Sequence, residues 1–557
     1  MNRLRFWRSL RLTVAIILSL FLAMGLGMHN PLWAPTSVLM VEAGTVGEAQ
    51  MRWWQRIAGT VLGVLWGFFL IWHFVQRPEQ LIVLCGLSAF VLAYASLTHF
   101  AWQDFWRWVL VGLLVMLCYG ILNPMGSFSV MVDRIGCVFI GATTIYVLHI
   151  LWPLEVGRSH QEQQQALLRS LQGWLDATPR HCRATFWLAG QLRMLRFRLS
   201  RNYGDYHVLH DPQRKAIGSL YGVELLARHL YAWRVKCPQP TPAELEWVRA
   251  LIAALSEGAV LPAPPLALRS GSLLSLMQQD AQQLQAGHSC SKSMLRWQWQ
   301  NRLFQAGTDS PLLSALVIGG VCAASLQIWH YTGWPGGNLV VLLATVSLLM
   351  SQYAEKVPTR LFMLPLFIGS LVLFPIFVFV LPQLGSDDAL IIMLVAVYLP
   401  LAWLLHGSNR TLAVVGSLMS VMINSGSSNY IPSELYVQRF FVMCWACLGV
   451  GLLFPVAQHI LLPDDTEQRL KNHFAVWQRE WRHWMLQPYQ TDMTRKAAQM
   501  ERRTDIILAL YGRLPKNKQA NWQAAGAIAA ADGHLSAVEL QQTYRVGHGT
   551  SPVNAYR

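Results

Sequence analysis

Glu42 stands in a short apolar stretch near residues 33–47, two positions before Gly44. A carboxylate in apolar surroundings holds its proton more tightly than one in water. Unwound backbone beside a glycine can line a cavity at membrane depth, so Glu42 is the candidate proton-carrying group. The competing reading ends the short run early and leaves Glu42 at an interface. Arg56 opens the next apolar run, 57–74, and offers a planar fork that suits a carboxylate. Its other reading is an anchor that reaches back to lipid headgroups. Arg360 follows the corresponding short run of a later block, so the two arginines could face a shared path. Trp33 and Trp334 each follow the first apolar run of a block, where an indole serves an interfacial belt or stacks on an aromatic ligand. Asp133 and Arg134 open the run 135–152, and Arg439 stands at the comparable place before 440–462. These three are interfacial charges, or parts of a gate or of a contact with a partner.

Other spacings point to packing. Gly59 and Gly63 lie one turn apart with Thr60 between them, and small residues at that spacing let helices approach closely. Gly336 and Gly337 fit a tight turn. Cys444 and Cys447 form a CxxC inside an apolar run, where they read as two small residues on one helix face. His207 and His210, near Asp205 and Asp211, match no standard metal spacing. The chain has no G-x-x-x-x-G-K-[ST] loop, no G-x-S-x-G and no H-E-x-x-H. The expectation is therefore a protein that is not an enzyme and carries no metal or cofactor.

The elements that must position these residues are apolar helices. Of 557 residues 54% are hydrophobic and 13% charged, about half the charged share of an ordinary soluble chain. Apolar runs fall near 10–28, 33–47, 57–74, 81–98, 105–122 and 135–152, then near 312–331, 338–352, 361–382, 389–405, 411–425 and 440–462. This reads as an all-α integral membrane protein of about twelve spans. Arg3, Arg5, Arg8 and Arg11 precede or open the first run, which no small-residue cleavage site follows, so the first helix is expected to stay uncleaved with its N-terminus inside. Six spans per half, each half starting inside, make two parallel repeats. The boundaries expected are 1–154 for the first half, 155–310 for a helical cytoplasmic domain, 311–463 for the second half and 464–557 for a cytoplasmic helical region and tail. The net charge of +15 fits positively charged inner flanks better than nucleic-acid binding. Pairing of the cytoplasmic helices in a homodimer is plausible, without a register to fix it.

Several short motifs recur in a fixed order. Asn30-Pro31-Leu32-Trp33-Ala34-Pro35 follows the first run, and Arg56-Ile-Ala-Gly59-Thr60-Val-Leu-Gly63 opens the third. Tyr331-Thr-Gly-Trp334-Pro-Gly336-Gly337 occupies the corresponding place in the second half, followed by Val380-Leu-Pro382 and Asn409-Arg410. Taken together over residues 5–155 and 312–463, this pattern resembles the fusaric acid resistance and aromatic acid exporter family of bacterial inner membranes. The resemblance implies efflux of hydrophobic carboxylic acids driven by the proton gradient, often with a periplasmic adaptor and an outer-membrane channel. Where many members carry Ser-Gln-Pro, this chain has Glu42-Ala43-Gly44, a carboxylate that would repel an anion unless protonated. An anion channel on the same scaffold, or a membrane scaffold that transports nothing, are the other readings the sequence allows.

Overall fold

The computed structural model describes residues 2–31, 33–42, 46–98, 102–152, 241–257, 259–263, 273–285, 311–333, 337–353, 386–406 and 466–486, with scattered positions from 164 to 233 and Phe379, Gln383, Phe441 and Ile507. Among the described residues all regular structure is helical. The chain divides into two compact units, Met1–Leu154 with Leu303–Pro463, and Glu155–Arg302 with Asp464–Arg557.

The first unit holds the apolar helices. They are α1 (Asn2–Gly25), α2 (Trp33–Val41), α3 (Val46–Phe74), α4 (Pro78–Thr98), α5 (Gln103–Gly120) and α6 (Ser127–Leu151). Further along the chain, α9 (Pro311–Thr332), α10 (Gly337–Tyr353) and α11 (Asp387–Leu405) join them. Among the described residues, five stretches are long and apolar enough to cross a membrane: Arg5–Gly25, Ala49–Phe74, Pro78–Thr98, Ser127–Leu151 and Pro311–Thr332. Their outer faces are apolar too. Val14, Leu18 and Leu22 on α1, and Val83, Leu87 and Val91 on α4, are exposed at successive turns. Stripes of that kind are costly in water and satisfied in lipid. The expected spans 361–382, 411–425 and 440–462, and with them Arg360 and Arg439, lie outside the described residues. So do Trp334 and Gly336.

Two boundaries differ from the sequence expectation. The helix α2 has 9 residues, about 13 Å of rise, and cannot cross the hydrocarbon by itself. Pro35 sits in its first turn, where a missing N–H costs nothing. Thr36 and Ser37 return their hydroxyls to the Trp33 carbonyl at 2.6 and 3.2 Å, so the short helix satisfies its own polar groups. The third helix starts at Val46 rather than near residue 57. Arg52 and Arg56, expected in a connection and at a helix start, therefore lie inside α3. By hydropathy the segment from Glu48 to Arg56 reads as a connection. It continues the helix because it contains neither Pro nor Gly, and its partners are on neighbouring helices.

The core forms where α3 crosses α5. A Cβ on Gly59 would stand 2.7 Å from the Phe105 carbonyl oxygen, and one on Gly63 would run into the carbonyl of Val109. Gly67 continues the stripe against Met116. From the other side Gly112 faces the Thr60 carbonyl, with Thr60 itself buried. Leu110, Leu113, Leu114 and Leu117 of α5 are fully buried around this seam. Gly63→Ala is expected to cost about 1–3 kcal/mol through overpacking. Gly320→Ala, on α9 where nothing lies within 4 Å, should be neutral or stabilising by about 0.5–1 kcal/mol. Thermal unfolding in detergent, followed by tryptophan fluorescence, compares the two.

Later helices pack onto earlier ones in three places: α9 on α4, α10 on α5 and α11 on α1. Gly86 and Gly319 each lie against the other's backbone in the first contact. In the second, the Cys118 thiol reaches the Asn338 carbonyl at 2.9 Å. Gly333, at φ +59, takes the left-handed turn that ends α9, and Gly337 opens α10 pressed against the Trp329 ring.

The second unit contains α7 (Pro242–Glu257), α8 (Leu273–Gln285) and α12 (Thr466–Leu486). Thr241 and Glu244 cap α7 reciprocally: the Thr241 amide donates to Glu244 at 3.0 Å, and the Glu244 amide donates to the Thr241 hydroxyl at 3.3 Å. His229 meets Asp280 at 2.5 Å, both buried.

Candidate functional site

The first unit has two groups of buried polar residues, at opposite ends of α6. Asp133 and His149 lie on the same helix, about 24 Å apart at 1.5 Å per residue.

One group surrounds Glu42. It lies directly after α2, and its amide donates to the Val38 carbonyl at 3.0 Å. Arg11 of α1 forms an ion pair with it at 3.1 Å. His149 Nε2 lies 3.8 Å and His406 Nε2 lies 3.5 Å from its two oxygens. Arg11 also donates to His149 Nε2 at 3.0 Å and to the Trp152 carbonyl at 3.4 Å. Arg52 of α3 donates to the backbone carbonyl of Glu42. Arg5 donates to the Trp403 carbonyl at 2.8 Å and lies over the Trp403 ring at 4.6 Å, which brings α11 against α1. Five helices, α1, α3 and α6 together with the ends of α2 and α11, thus supply one charged cluster. Among the described residues no group of His, Cys, Asp and Glu could hold a metal ion. The guanidinium of Arg11 occupies the cation's place.

The second group contains Arg56, Trp108, Trp33, Asp133 and Arg134. Arg56 is 2% exposed and its guanidinium lies 3.6 Å from the Trp108 ring centre. Its Nε and Nη1 are buried and have no hydrogen-bond partner among the described residues. The charges that act on it are the guanidiniums of Arg134 and Arg107, both of its own sign. Arg107 is paired with Asp104. Arg134 lies over the Trp33 ring at 4.7 Å, and its Nε is also without a partner. Trp33 is buried against Tyr119 in an edge contact at 5.7 Å, not on an exposed interfacial belt.

Asp133 acts on Arg134 through its charge, and its hydrogen bonds go to the chain. Its two oxygens accept the amides of His29 and Asn30, at 2.7 and 3.0 Å. It therefore fixes the connection between α1 and α2, two turns inside α6 rather than at its start. Asp133→Ala leaves both amides without that acceptor, at about 1–3 kcal/mol. Hydrogen exchange at His29 and Asn30 is expected to speed up by tenfold or more, on the order of that energy.

Sequence reasoning singled out Glu42, Arg56, Trp33, Asp133 and Arg134 but missed His149 and His406. A signal existed. His149-Ile-Leu-Trp-Pro153 at the end of α6 returns as His459-Ile-Leu-Leu-Pro463. His99 and His406 each stand one residue after a helix, α4 and α11. Histidines at repeated positions beside apolar runs are a stronger mark than any one of them.

Apolar outer faces, long apolar helices and charge clusters buried between them define a multi-pass membrane protein. The model of the fusaric acid resistance protein family matches residues 5–186 and 183–549, and the chain belongs to that family. It is similar to the p-hydroxybenzoic acid efflux pump subunit AaeB of Edwardsiella tarda, 24% identical over 417 residues, 67% of this chain and 63% of the relative. The like-named protein of Edwardsiella ictaluri is 22% identical over 543 residues, 85% of this chain and 79% of the relative. That of Yersinia enterocolitica is 23% identical over 518 residues, 84% and 77%. The chain thus spans less than two thirds of the first of these and more than three quarters of the others. No solved structure matches it.

Proposed function

We propose that the protein is a secondary transporter of the bacterial inner membrane that exports aromatic or other amphipathic organic acids, driven by protons. The observation that carries this is Arg56. A buried guanidinium with two unpartnered nitrogens and like-charged neighbours is costly by several kcal/mol. An anion that docks there removes the penalty. A carboxylate suits the fork of N–H donors, and the apolar walls around Trp108 suit the rest of an amphipathic acid. The printed names of the relatives, p-hydroxybenzoic acid efflux pump subunits, support the aromatic acid class.

The path runs between two six-span halves in parallel orientation, with both termini in the cytoplasm. Two pairings support that arrangement. The first helix of the first half, α1, packs on α11, the fourth apolar run of the second half. The first of the second half, α9, packs on α4, the fourth of the first. Exchange of the halves turns one pair into the other. A periplasmic adaptor and an outer-membrane channel complete the export route.

Inverted vesicles carrying the full-length chain test the reading. With a pH gradient imposed, p-hydroxybenzoate or another aromatic acid is expected to accumulate, and a protonophore to abolish the accumulation. A flat response across a panel of such acids, in vesicles that hold folded protein, would sink it. Anion conductance indifferent to the proton gradient would mark a channel instead.

A further inference from the structure

We infer that Nε2 of His406 is the proton-binding site of the transport cycle, and that its protonation clasps α11 to the end of α2 through Glu42. The inference rests on the proposed proton-driven export and assigns the group that takes the proton.

Glu42 is the obvious carboxylate for that task, but its geometry is that of a permanent anion. It is the partner of Arg11 at 3.1 Å, and removing its charge would strand a guanidinium that is almost wholly buried. The two imidazoles beside it each have a ring nitrogen that can bind a proton. Their hydrogen bonds tell them apart. His149 Nδ1 lies 2.8 Å from the Ile145 carbonyl, which places the hydrogen on Nδ1. The lone pair of its Nε2 accepts Arg11 at 3.0 Å. A proton at that nitrogen would face an N–H of the guanidinium and break the bond, so His149 is held neutral.

His406 is arranged in the opposite sense. Its Nδ1 lies 2.8 Å from the Ala402 carbonyl, with the Ser9 hydroxyl at 3.4 Å, so the hydrogen again sits on Nδ1. Its Nε2 then points a lone pair toward Glu42 Oε1 at 3.5 Å. Two lone pairs face each other across a gap that one proton closes. The proton comes from water and adds to Nε2; the resulting N–H donates to Oε1, and its release restores the neutral ring. No other bond changes.

Among the described residues, the charged and titratable groups near His406 on these elements are Arg5, Arg8 and Arg11 on α1, Glu42 after α2, Arg52 on α3 and His149 on α6; Arg56, Asp133 and Arg134 belong to the second group, and Asp387 and Asp388 start α11 at its other end. With both imidazoles neutral, Arg11 and Glu42 cancel. The proton adds one further positive charge, which the surrounding arginines oppose and the carboxylate favours. Loss of the proton frees α11, a helix of the second half, from α2, a helix of the first. Proton and substrate then occupy the transporter alternately, as exchange in opposite directions requires.

The test uses full-length protein in vesicles and radiolabelled p-hydroxybenzoate, with two readouts: accumulation driven by a pH gradient, and counterflow exchange with no gradient. His406→Gln removes the proton site while keeping a polar side chain of similar reach. It is expected to lose at least tenfold of the driven accumulation and to keep exchange within about threefold of wild type. His149→Gln retains an amide oxygen to accept Arg11, and is expected to keep the wild-type pH profile of accumulation. Driven accumulation retained in His406→Gln would overturn the inference alone. Loss of exchange together with accumulation in that variant would also overturn it, by marking His406 as structural. If the His149→Gln profile is flattened and that of His406→Gln is not, the proton belongs to the other ring. A wild type that neither accumulates nor exchanges the acid sinks the export reading itself.

Discussion

Arg56→Gln is expected to raise the half-saturating concentration of the exported acid by roughly tenfold to a hundredfold, the loss of one charge-assisted hydrogen bond worth about 1.5–3 kcal/mol. The same substitution should raise the melting temperature of the substrate-free protein, and Arg56→Met more so. The two effects have opposite signs for one reason. In the empty protein the guanidinium is buried with two nitrogens unpartnered, so its removal relieves a desolvation penalty. With an acid bound, the same nitrogens become donors to a carboxylate. Arg56→Lys keeps the charge and loses the fork, and should fall between wild type and Gln in apparent affinity. Melting curves and concentration-dependent uptake on the same preparations separate this from a structural role. If Arg56→Gln lowers the melting temperature and leaves the half-saturating concentration unchanged, the cation on Trp108 is there for packing and not for substrate.

Glu42→Leu or Arg11→Met is expected to destabilise the protein by about 3–5 kcal/mol, because each strands its partner in a buried setting. The double substitution Arg11→Met with Glu42→Leu should be much milder than the sum of the single ones. Residues in direct contact couple by about 0.5–3 kcal/mol or more in such cycles. Apolar side chains of similar volume also suit the buried cavity that the pair vacates. His149 and Trp152 lose Arg11, and His406 loses the Glu42 carboxylate, in the double variant, so full recovery is not expected. Additive losses, measured by thermal unfolding of all four proteins, would show that Glu42 and Arg11 are held by separate neighbours.

Much of the fold was legible because lipid imposes a simple rule. A helix that crosses hydrocarbon must be apolar along its length, and runs such as 81–98 and 312–331 announce α4 and α9 to within a few residues. Membership of the fusaric acid resistance family was legible too, from Pro31-Leu-Trp33 and from Arg56 with Gly59, Thr60 and Gly63. Hydropathy failed at residues 46–56, where polar side chains lie inside the bundle and satisfy one another. Trp53 gives its indole N–H to Thr143 at 3.1 Å and stacks on Tyr146. An average over a window cannot distinguish such residues from a solvated loop.

The sequence by itself determined that this chain lives in a membrane and where many of its apolar helices run, and it marked Glu42 and Arg56 as candidates while leaving an interfacial position open for each. Those properties depend on residue type and local spacing alone. Only the tertiary structure decided what each charge faces. Arg11, Glu42, His149 and His406 are separated by hundreds of positions at the extremes, and no periodicity connects them. They meet because α1, α2, α6 and α11 pack side by side, and a buried carboxylate is stable only where its neighbours supply opposite charge. Arg56 is the converse case: packing brought it an indole and two like charges, and left its donors open.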